Sequence, residues 1–164
     1  MQTEQTITTR IADYNDACDA EHVLALLDHY ARDPMGGGEP LSDYVKDNLI
    51  SALSSRSFTF SVLAFCGDIP VGLANVIEGF STFACKPLVN VHDLVVHKDY
   101  RGRGISHQLL AAVQQEAEAR GCVKITLEVL SDNYNACESY KKFGFAPYTL
   151  DPEAGPAQFW QKYL

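Results

Sequence analysis

A short segment in the second half of the chain, residues 97–107, combines positive charge with two glycines. Its charged side chains sum to +2 in a chain whose formal net charge is −8, and they are Lys98, Asp99, Arg101 and Arg103. Gly102 and Gly104 carry no side chains, so backbone N–H groups can approach a ligand, and the start of a following helix favours an anion. The segment therefore predicts a binding site for a diphosphate.

Other phosphate-binding loops fit this segment less well. A P-loop needs G-x-x-x-x-G-K-[ST], which the sequence lacks, and the Rossmann pattern G-x-G-x-x-G needs a glycine where the chain has His107. The remaining alternative on the local pattern is a glycine turn that joins a strand to a helix, with its arginines in solvent.

A second candidate group is the His92-Asp93 pair, which lies inside an apolar stretch. Alternation along a strand puts His92 and Asp93 on opposite faces, so they share a site only if a bulge intervenes. An imidazole can act as a base at neutral pH. The alternative for both residues is a polar side chain that is satisfied inside the sheet.

Short strands and helices must position these residues, which indicates a mixed α/β fold. The predicted strands are residues 6–11, 58–65, 71–77, 88–96, 123–129 and 159–164. The predicted helices start at caps Asn15 or Asp16, Ser42, Gly104 and Asn133. The strand–helix–strand order of residues 88–129 predicts a parallel pair. Three glycines between Pro34 and Pro40 predict a mobile, irregular loop.

Two motifs occur in order and resemble those of one superfamily. The first, R-x-x-G-x-[GA], corresponds to residues 101–106, and the second, N-x-x-A-x-x-x-Y-x-x-x-G-F, corresponds to residues 133–145. Both resemble the GNAT N-acetyltransferase superfamily. The His92-Asp93 pair is similar to an adjacent Glu-Asp pair of spermidine/spermine N-acetyltransferases, with His92 in place of Glu. Ser106 stands where the first motif has Gly or Ala, and it would either crowd a pyrophosphate or donate a hydroxyl to it.

The resemblance implies a single domain over residues 1–164, with a mixed, twisted sheet of about six to seven strands flanked by helices. The sheet would be splayed at its central parallel strands, where acetyl-CoA would lie as the acetyl donor without a metal. The implied cofactor-binding residues are Leu94, Val95, Val96, Arg101, Gly102, Arg103, Gly104, Ile105, Ser106, Asn133 and Tyr140. Asn133 is first of all an N-cap.

The implied reaction is direct transfer of an acetyl group from acetyl-CoA to a primary amine. Tyr140 would donate a proton to the CoA sulfur, and His92 or Asp93 would take the amine proton directly or through one water. Tyr140 has an alternative role as a core aromatic, because Ala136, Tyr140 and Phe143 share a helix face. A covalent cysteine intermediate is not needed.

The implied acceptor is a small amine, such as a polyamine or a lysine-like amino compound. Asp33 and Glu39, together with Asp93, would meet its positive charge. Glu128 is either part of the acceptor pocket or a polar residue of the sheet.

Composition limits the other functional classes. With 164 residues that are 46% hydrophobic, the chain can bury one sizeable core. A net charge of −8 disfavours binding to nucleic acid or to an anionic membrane. The rival function is a non-catalytic acetyl-CoA or CoA-binding module that acts as a sensor or binds a partner.

The cysteines and the first residues bear on location. Five widely spread cysteines without a C-x-x-C pair indicate neither a disulfide framework nor a zinc site, and they fit a reducing compartment. The first ten residues lack a leader pattern and no stretch is long enough for a membrane span, so we expect a cytoplasmic protein. A homodimer is an expectation by analogy with the family alone.

Overall fold

Five strands form one mixed sheet in the computed structural model, which describes residues 6–164. They lie side by side in chain order and are β1 (Ile7–Ile11), β2 (Thr59–Cys66), β3 (Ile69–Ser81), β4 (Lys86–Val96) and β5 (Ile125–Leu127). The first four pair antiparallel, whereas β4 and β5 pair parallel. The mixed sheet and the parallel pair are confirmed, with slightly fewer strands than the six to seven expected.

Four helices accompany the sheet: α1 (Ala17–Ala31), α2 (Asp43–Ser54), α3 (Ile105–Ala119) and α4 (Tyr134–Phe143). Three of them begin at a side-chain cap, because Asp16, Ser42 and Asn133 accept hydrogen bonds from backbone N–H groups of the first turn. The helices start where the sequence predicts. None of the helices in the described part of the chain has the length and apolar character that a membrane-crossing segment requires.

The core packs on both faces of the sheet. On one face, Leu63, Leu73 and Val95 are buried together with Val23 and Leu26 of α1. On the other face α3 approaches closely: a Cβ atom at Gly72 would lie only 3.0 Å from Leu109 and 3.1 Å from Ile105. The central strands β2–β4 are thus held between helices, which fixes the position of their polar residues.

The strand predicted at residues 159–164 is absent, and within residues 6–164 the sheet ends with β5. Trp160 and Leu164 are exposed instead of packed on a neighbouring strand. Pro147, Pro152 and Pro156 lie in the stretch that leads to this tail, where proline disfavours a regular strand. Apolar composition alone was a poor indicator of a strand here.

The segment between Pro34 and Pro40 is more regular than expected. Residues Pro34–Gly36 form a short 3₁₀ helix that begins at Asp33, and the Gly36 and Gly38 N–H groups donate to the Asp33 carbonyl. Gly37 and Gly38 have positive φ, as the glycines predict. The prediction that this segment holds no regular structure was wrong, and its mobility stays a prediction.

Two compact units make up the chain, one ending at Leu127 and one beginning at Glu128. The first holds the sheet with α1–α3, and the second holds α4 and the tail. The single domain over residues 1–164 stays a prediction. The first five residues, part of the stretch for which we expect no leader, lie outside the described residues.

Candidate functional site

A β-bulge in β4 sets the orientation of His92 and Asp93. Asn75 of β3 lies opposite Asp93, whereas the next residue, Val76, lies opposite Val91, so His92 is the extra residue of β4. Val91 and Asp93 therefore face opposite sides of the sheet, although regular alternation would put them on the same side. This bulge is the condition under which His92 and Asp93 can serve one site.

Both residues line the same cavity, which has a volume of about 320 Å³. His92 is exposed and Asp93 is half-buried. The other lining residues are mostly apolar and come from α1, α2 and the strands; they include Leu27, Leu49, Leu53, Phe58 and Ile77, with Arg56 and Asn75 among the polar ones. The cavity has the size and character of a small-molecule site.

A chain of buried hydrogen bonds leads across the sheet to Asp93. Asn75 Nδ2 donates to Asp93 Oδ2 at 3.0 Å, and Asn75 Oδ1 accepts from Ser61 Oγ at 2.6 Å. The Ser61 hydroxyl lies 2.8 Å from the Tyr14 hydroxyl. Because the single Ser61 proton is used toward Asn75, Tyr14 is the donor of that pair. Every donor thus points toward Asp93, whose carboxylate lines the cavity and can still accept from a ligand.

Two tyrosines beside this chain stay protonated. Burial raises the pKa of Tyr14, against the opposing effect of its hydrogen bonds to Ser61 and Thr59. Burial also raises the pKa of Tyr30, and the nearby carboxylates of Asp93 and Asp33 raise it further. Neither phenol is therefore a base at neutral pH.

The segment before α3 has the geometry of an anion cradle. Gly102 and Gly104 adopt φ values of +78° and +74°, and a Cβ atom at either position would meet no heavy atom within 4 Å. Gly104 is the N-cap of α3, and no side chain caps the first turn. The two glycines therefore leave open space beside the start of α3, where a helix N-terminus favours an anion, and this fits the phosphates of CoA. Ile105 is buried in the core and Ser106 is half-buried.

Charge around this cradle is lower than the sequence suggests. Arg101 Nη2 lies 2.9 Å from Asp33 Oδ2, so Asp33 lowers the formal charge of the cluster from +2 to +1. Arg103 lies over the ring of Tyr100 with its guanidinium carbon 4.9 Å from the ring centroid. The roles predicted for Asp33 at the acceptor and for Arg101 at the phosphates stay predictions, but the two side chains are partners.

A pair of histidines lies beside this ion pair. The rings of His29 and His97 stack with centroids 4.4 Å apart, and His29 Nε2 accepts from the Lys98 N–H at 3.3 Å. Burial lowers the pKa of His29, and the positive charges near it lower the pKa further. His29 is therefore neutral at pH 7, as its acceptor role requires.

The last residues of β4 extend beyond its parallel partner. The pairing with β5 ends at Val91 and Leu127, whereas β4 continues to Val96 along β3. This is the splay that the fold prediction requires. The Val95 side chain is buried in the α1 face of the core, whereas Leu94 and Val96 are half-buried, so this stretch offers a ligand its backbone more than its side chains.

The remaining predicted site residues lie elsewhere. Glu39 is exposed after the 3₁₀ turn, and its backbone N–H donates to Ala31 at 3.1 Å; it does not line the cavity. Glu128 is exposed, one residue beyond β5 and not in that strand. Their acceptor roles stay predictions.

Tyr140 and Asn133 belong to the second unit. Asn133 caps α4 by accepting from the Ala136 N–H at 3.3 Å, as predicted. The half-buried ring of Tyr140 packs edge-on against Phe145 with centroids 6.0 Å apart. The role of Tyr140 as a proton donor stays a prediction.

Sequence reasoning missed the residues that support Asp93 and the arginine that lines the same cavity. Ser61 and Asn75 are fully or almost fully buried, and each interrupts an apolar strand, which is the signal that could have found them. Arg56 follows α2 and gave no such signal. No cluster of three potential metal ligands occurs among residues 6–164.

Comparisons with known proteins found relatives in sequence and in fold. "Acetyltransferase SG1711" of Sodalis glossinidius (strain morsitans) is 44% identical over 52 residues, which are 32% of this chain and 37% of that protein. The match thus spans little more than a third of the length of that curated relative.

Two solved structures are similar over almost the whole chain. A transcriptional regulator from Bacillus halodurans C-125 covers 96% of this chain and all of its own at a TM-score of 0.77 and 20% identity. Aminoglycoside N-acetyltransferase AAC(6')-Iy, in complex with CoA, covers 100% of this chain and 99% of its own at a TM-score of 0.75 and 19% identity. At these identities the likeness shows the fold.

The family model described as "Acetyltransferase (GNAT) family" matches residues 23–145. Since this match spans most of the chain, including the bulge in β4, the glycine cradle and α4, the protein belongs to the GNAT acetyltransferase family.

Proposed function

We propose that the protein transfers an acetyl group from acetyl-CoA directly to a primary amine of a small molecule. The observation that carries the proposal is the bulge at His92, which gives an imidazole and a carboxylate access to one cavity next to the splayed end of β4. Family membership supports the acetyl donor.

The donor side is built from backbone groups and arginines. When bound, acetyl-CoA supplies the acetyl group as a thioester. The Gly102 and Gly104 backbone, with the start of α3, accommodates the pyrophosphate, and Arg101 and Arg103 contribute charge. The backbone of Leu94–Val96, beyond the end of β5, is left to pair with an amide-bearing arm.

The acceptor side holds and deprotonates the amine. An alkyl ammonium has a pKa of about 10.4, so a group in the site must accept its proton near neutral pH. Asp93, fixed by Asn75, holds the ammonium, and His92 takes the proton directly or through one water. Tyr140 is proposed to donate a proton to the departing sulfur.

The proposal leaves two acceptor classes, polyamines and lysine-like amino compounds. Similarity to spermidine/spermine acetyltransferases favours the first, but it rests on the His92-Asp93 pair alone. The solved neighbour named above is an aminoglycoside N-acetyltransferase, another enzyme with an amine acceptor. A cytoplasmic location and a homodimer also stay proposals.

The test is release of free thiol from acetyl-CoA when a panel of primary amines is added. His92→Ala should lower kcat by about 10²-fold or more, the typical contribution of general acid–base catalysis. Asp93→Asn removes the counter-ion of the ammonium and should raise KM for the amine by about tenfold or more. Asp68→Asn, an exposed carboxylate in the turn between β2 and β3, is the matched control and should behave as wild type. If CoA binds but no amine releases thiol, the non-catalytic CoA-binding module becomes the better interpretation.

A further inference from the structure

The cavity beside His92 and Asp93 carries one negative and one positive side chain of fixed charge. Asp93 supplies the carboxylate and Arg56 supplies the guanidinium. Apolar residues from α1, α2, β2, β3 and the turn before β2 make up most of the rest, among them Leu27, Leu49 and Phe58. A ligand in this space therefore meets one anion, one cation and an apolar surface.

Arg56 is available to an anionic group of a ligand. It follows α2, is exposed, and its Nη1 donates to the Ala52 carbonyl and the Ser55 hydroxyl, which holds the side chain against the helix end. No carboxylate within residues 6–164 forms an ion pair with it. Its charge is therefore not neutralised by the protein.

Asp93 is the single carboxylate among the described residues that line the cavity. Asn75 already donates to its Oδ2, and the carboxylate can still accept from one ammonium of a ligand. A second ammonium in the same cavity would meet the like charge of Arg56 instead of a carboxylate, which disfavours its binding. Glu39 and Asp33 do not offer that second carboxylate, because Asp33 is paired with Arg101 and neither residue lines the cavity.

We infer that the acceptor is a monoamine with an apolar body and a carboxylate at its far end, and that polyamines are poor substrates. The amine lies at Asp93 and His92, the body lies along the leucines and Phe58, and the carboxylate faces Arg56. This inference rests on the proposed acetyl transfer and names the substrate class of the same cavity. Of the two classes above, it disfavours polyamines, and among lysine-like amino compounds it favours those whose single amine is distal to the carboxylate.

Three amines of one chain length test the inference, because they differ only in the far end. They are ε-aminocaproate with a carboxylate, hexylamine with a methyl group and hexamethylenediamine with a second ammonium. We expect kcat/KM to fall in that order, with about a tenfold difference between the first and the third, since one partly solvated charged contact is involved. Calorimetry of the same amines without acetyl-CoA should show affinity that falls in the same order.

Variants of Arg56 test whether that residue causes the preference for a distal carboxylate over a distal ammonium. Arg56→Gln should bring ε-aminocaproate and hexamethylenediamine within about threefold and leave hexylamine unchanged, whereas Arg56→Lys should retain the preference. Arg32→Gln is the matched control, because Arg32 is exposed on the α1 side, pairs with Asp28 and does not line the cavity. Thermal melts confirm that each variant is folded.

The outcomes separate the two proposals. If no amine of any class is acetylated, the proposed function fails and this inference fails with it. If amines are acetylated but hexamethylenediamine is as good as ε-aminocaproate in turnover and in binding, the proposed function holds and the inference is overturned. A preference that survives in Arg56→Gln also overturns it.

Discussion

Arg101 donates to the carboxylate of Asp33 across 2.9 Å, and this contact joins the end of α1 to the glycine cradle before α3. The backbone N–H of Met35 and the Arg101 guanidinium together lower the pKa of Asp33, so its charge is present at neutral pH. Arg101 Nε also donates to the Val96 carbonyl at 3.3 Å. The arginine is thus held in place before any phosphate arrives, which reduces the entropy lost on binding.

Replacing each member of this pair should therefore affect CoA binding differently. Arg101→Gln should weaken CoA binding about tenfold, because a charge-assisted contact to phosphate is lost. Asp33→Asn keeps an oxygen that accepts from Arg101 and removes one nearby negative charge, so CoA affinity should stay unchanged or rise by up to about threefold at low salt. Calorimetry at two salt concentrations measures both. A higher KM for the amine in Asp33→Asn, with CoA affinity unchanged, would return Asp33 to the acceptor site.

A substitution at Gly104 tests whether the glycine cradle before α3 binds the pyrophosphate. Gly104→Val should abolish CoA binding, because a β-branched residue does not tolerate a φ of +74° and the turn before α3 would change. Gly121→Val is a matched control at the other end of α3, with a φ of +72° and equally open space. Both variants should lose similar thermal stability, but only Gly104→Val should lose CoA in a binding titration. Equal CoA affinity in the two variants would place the pyrophosphate elsewhere.

Local patterns predicted the elements well because their signals lie within a few residues. Caps such as Asp16 and Ser42, and the glycines before α3, act on their own first turn. The bulge at His92 was not predictable in this way, since it depends on how β3 and β4 pair. The sequence could predict only that His92 and Asp93 share a site if such a bulge occurs. The Asp33–Arg101 pair joins residues 68 positions apart, beyond the reach of any local pattern.

The series of hydrogen bonds that runs from Tyr14 through Ser61 and Asn75 should hold the Asp93 carboxylate in position. Ser61→Ala removes the donor to Asn75 Oδ1, so the amide loses its fixed orientation toward Asp93. We expect about a tenfold higher KM for the amine and an unchanged dissociation constant for CoA. Ser61→Thr, which keeps the hydroxyl, should recover most of the affinity for the amine. Loss of thermal stability in Ser61→Ala with no change in KM would mean that these hydrogen bonds only stabilise the fold.

Stability should decrease as the solution becomes acidic, in part through His29. Its folded-state pKa lies below the ordinary value of 6.5, so below pH 6.5 the unfolded chain binds a proton that the folded chain does not. The contribution of His29 is therefore fully present above that pH and falls as the pH drops toward the folded-state pKa. His29→Gln, which can still accept from Lys98, should show a smaller decrease in melting temperature between about pH 7.5 and pH 5.5 than wild type. Parallel melting curves for the two proteins would exclude His29 as a cause.

Tyr140 lies on α4 with its ring against Phe145, a contact that fits a packing residue and a proton donor equally well. Tyr140→Phe keeps the ring and deletes the hydroxyl, so a packing role would survive and a proton-donor role would not. We expect kcat to fall on the order of 10²-fold with CoA affinity nearly unchanged, because general-acid assistance is typically worth 10²- to 10⁴-fold.

The matched control for that variant is Tyr134→Phe, which makes the same chemical change at an exposed tyrosine in the first turn of the same helix. It should leave kcat unchanged. The departing thiolate must be protonated whatever the basicity of the acceptor amine. The loss of kcat in Tyr140→Phe should therefore persist with less basic amines. A loss within about threefold would leave Tyr140 as a core aromatic and make solvent the proton source for the thiolate.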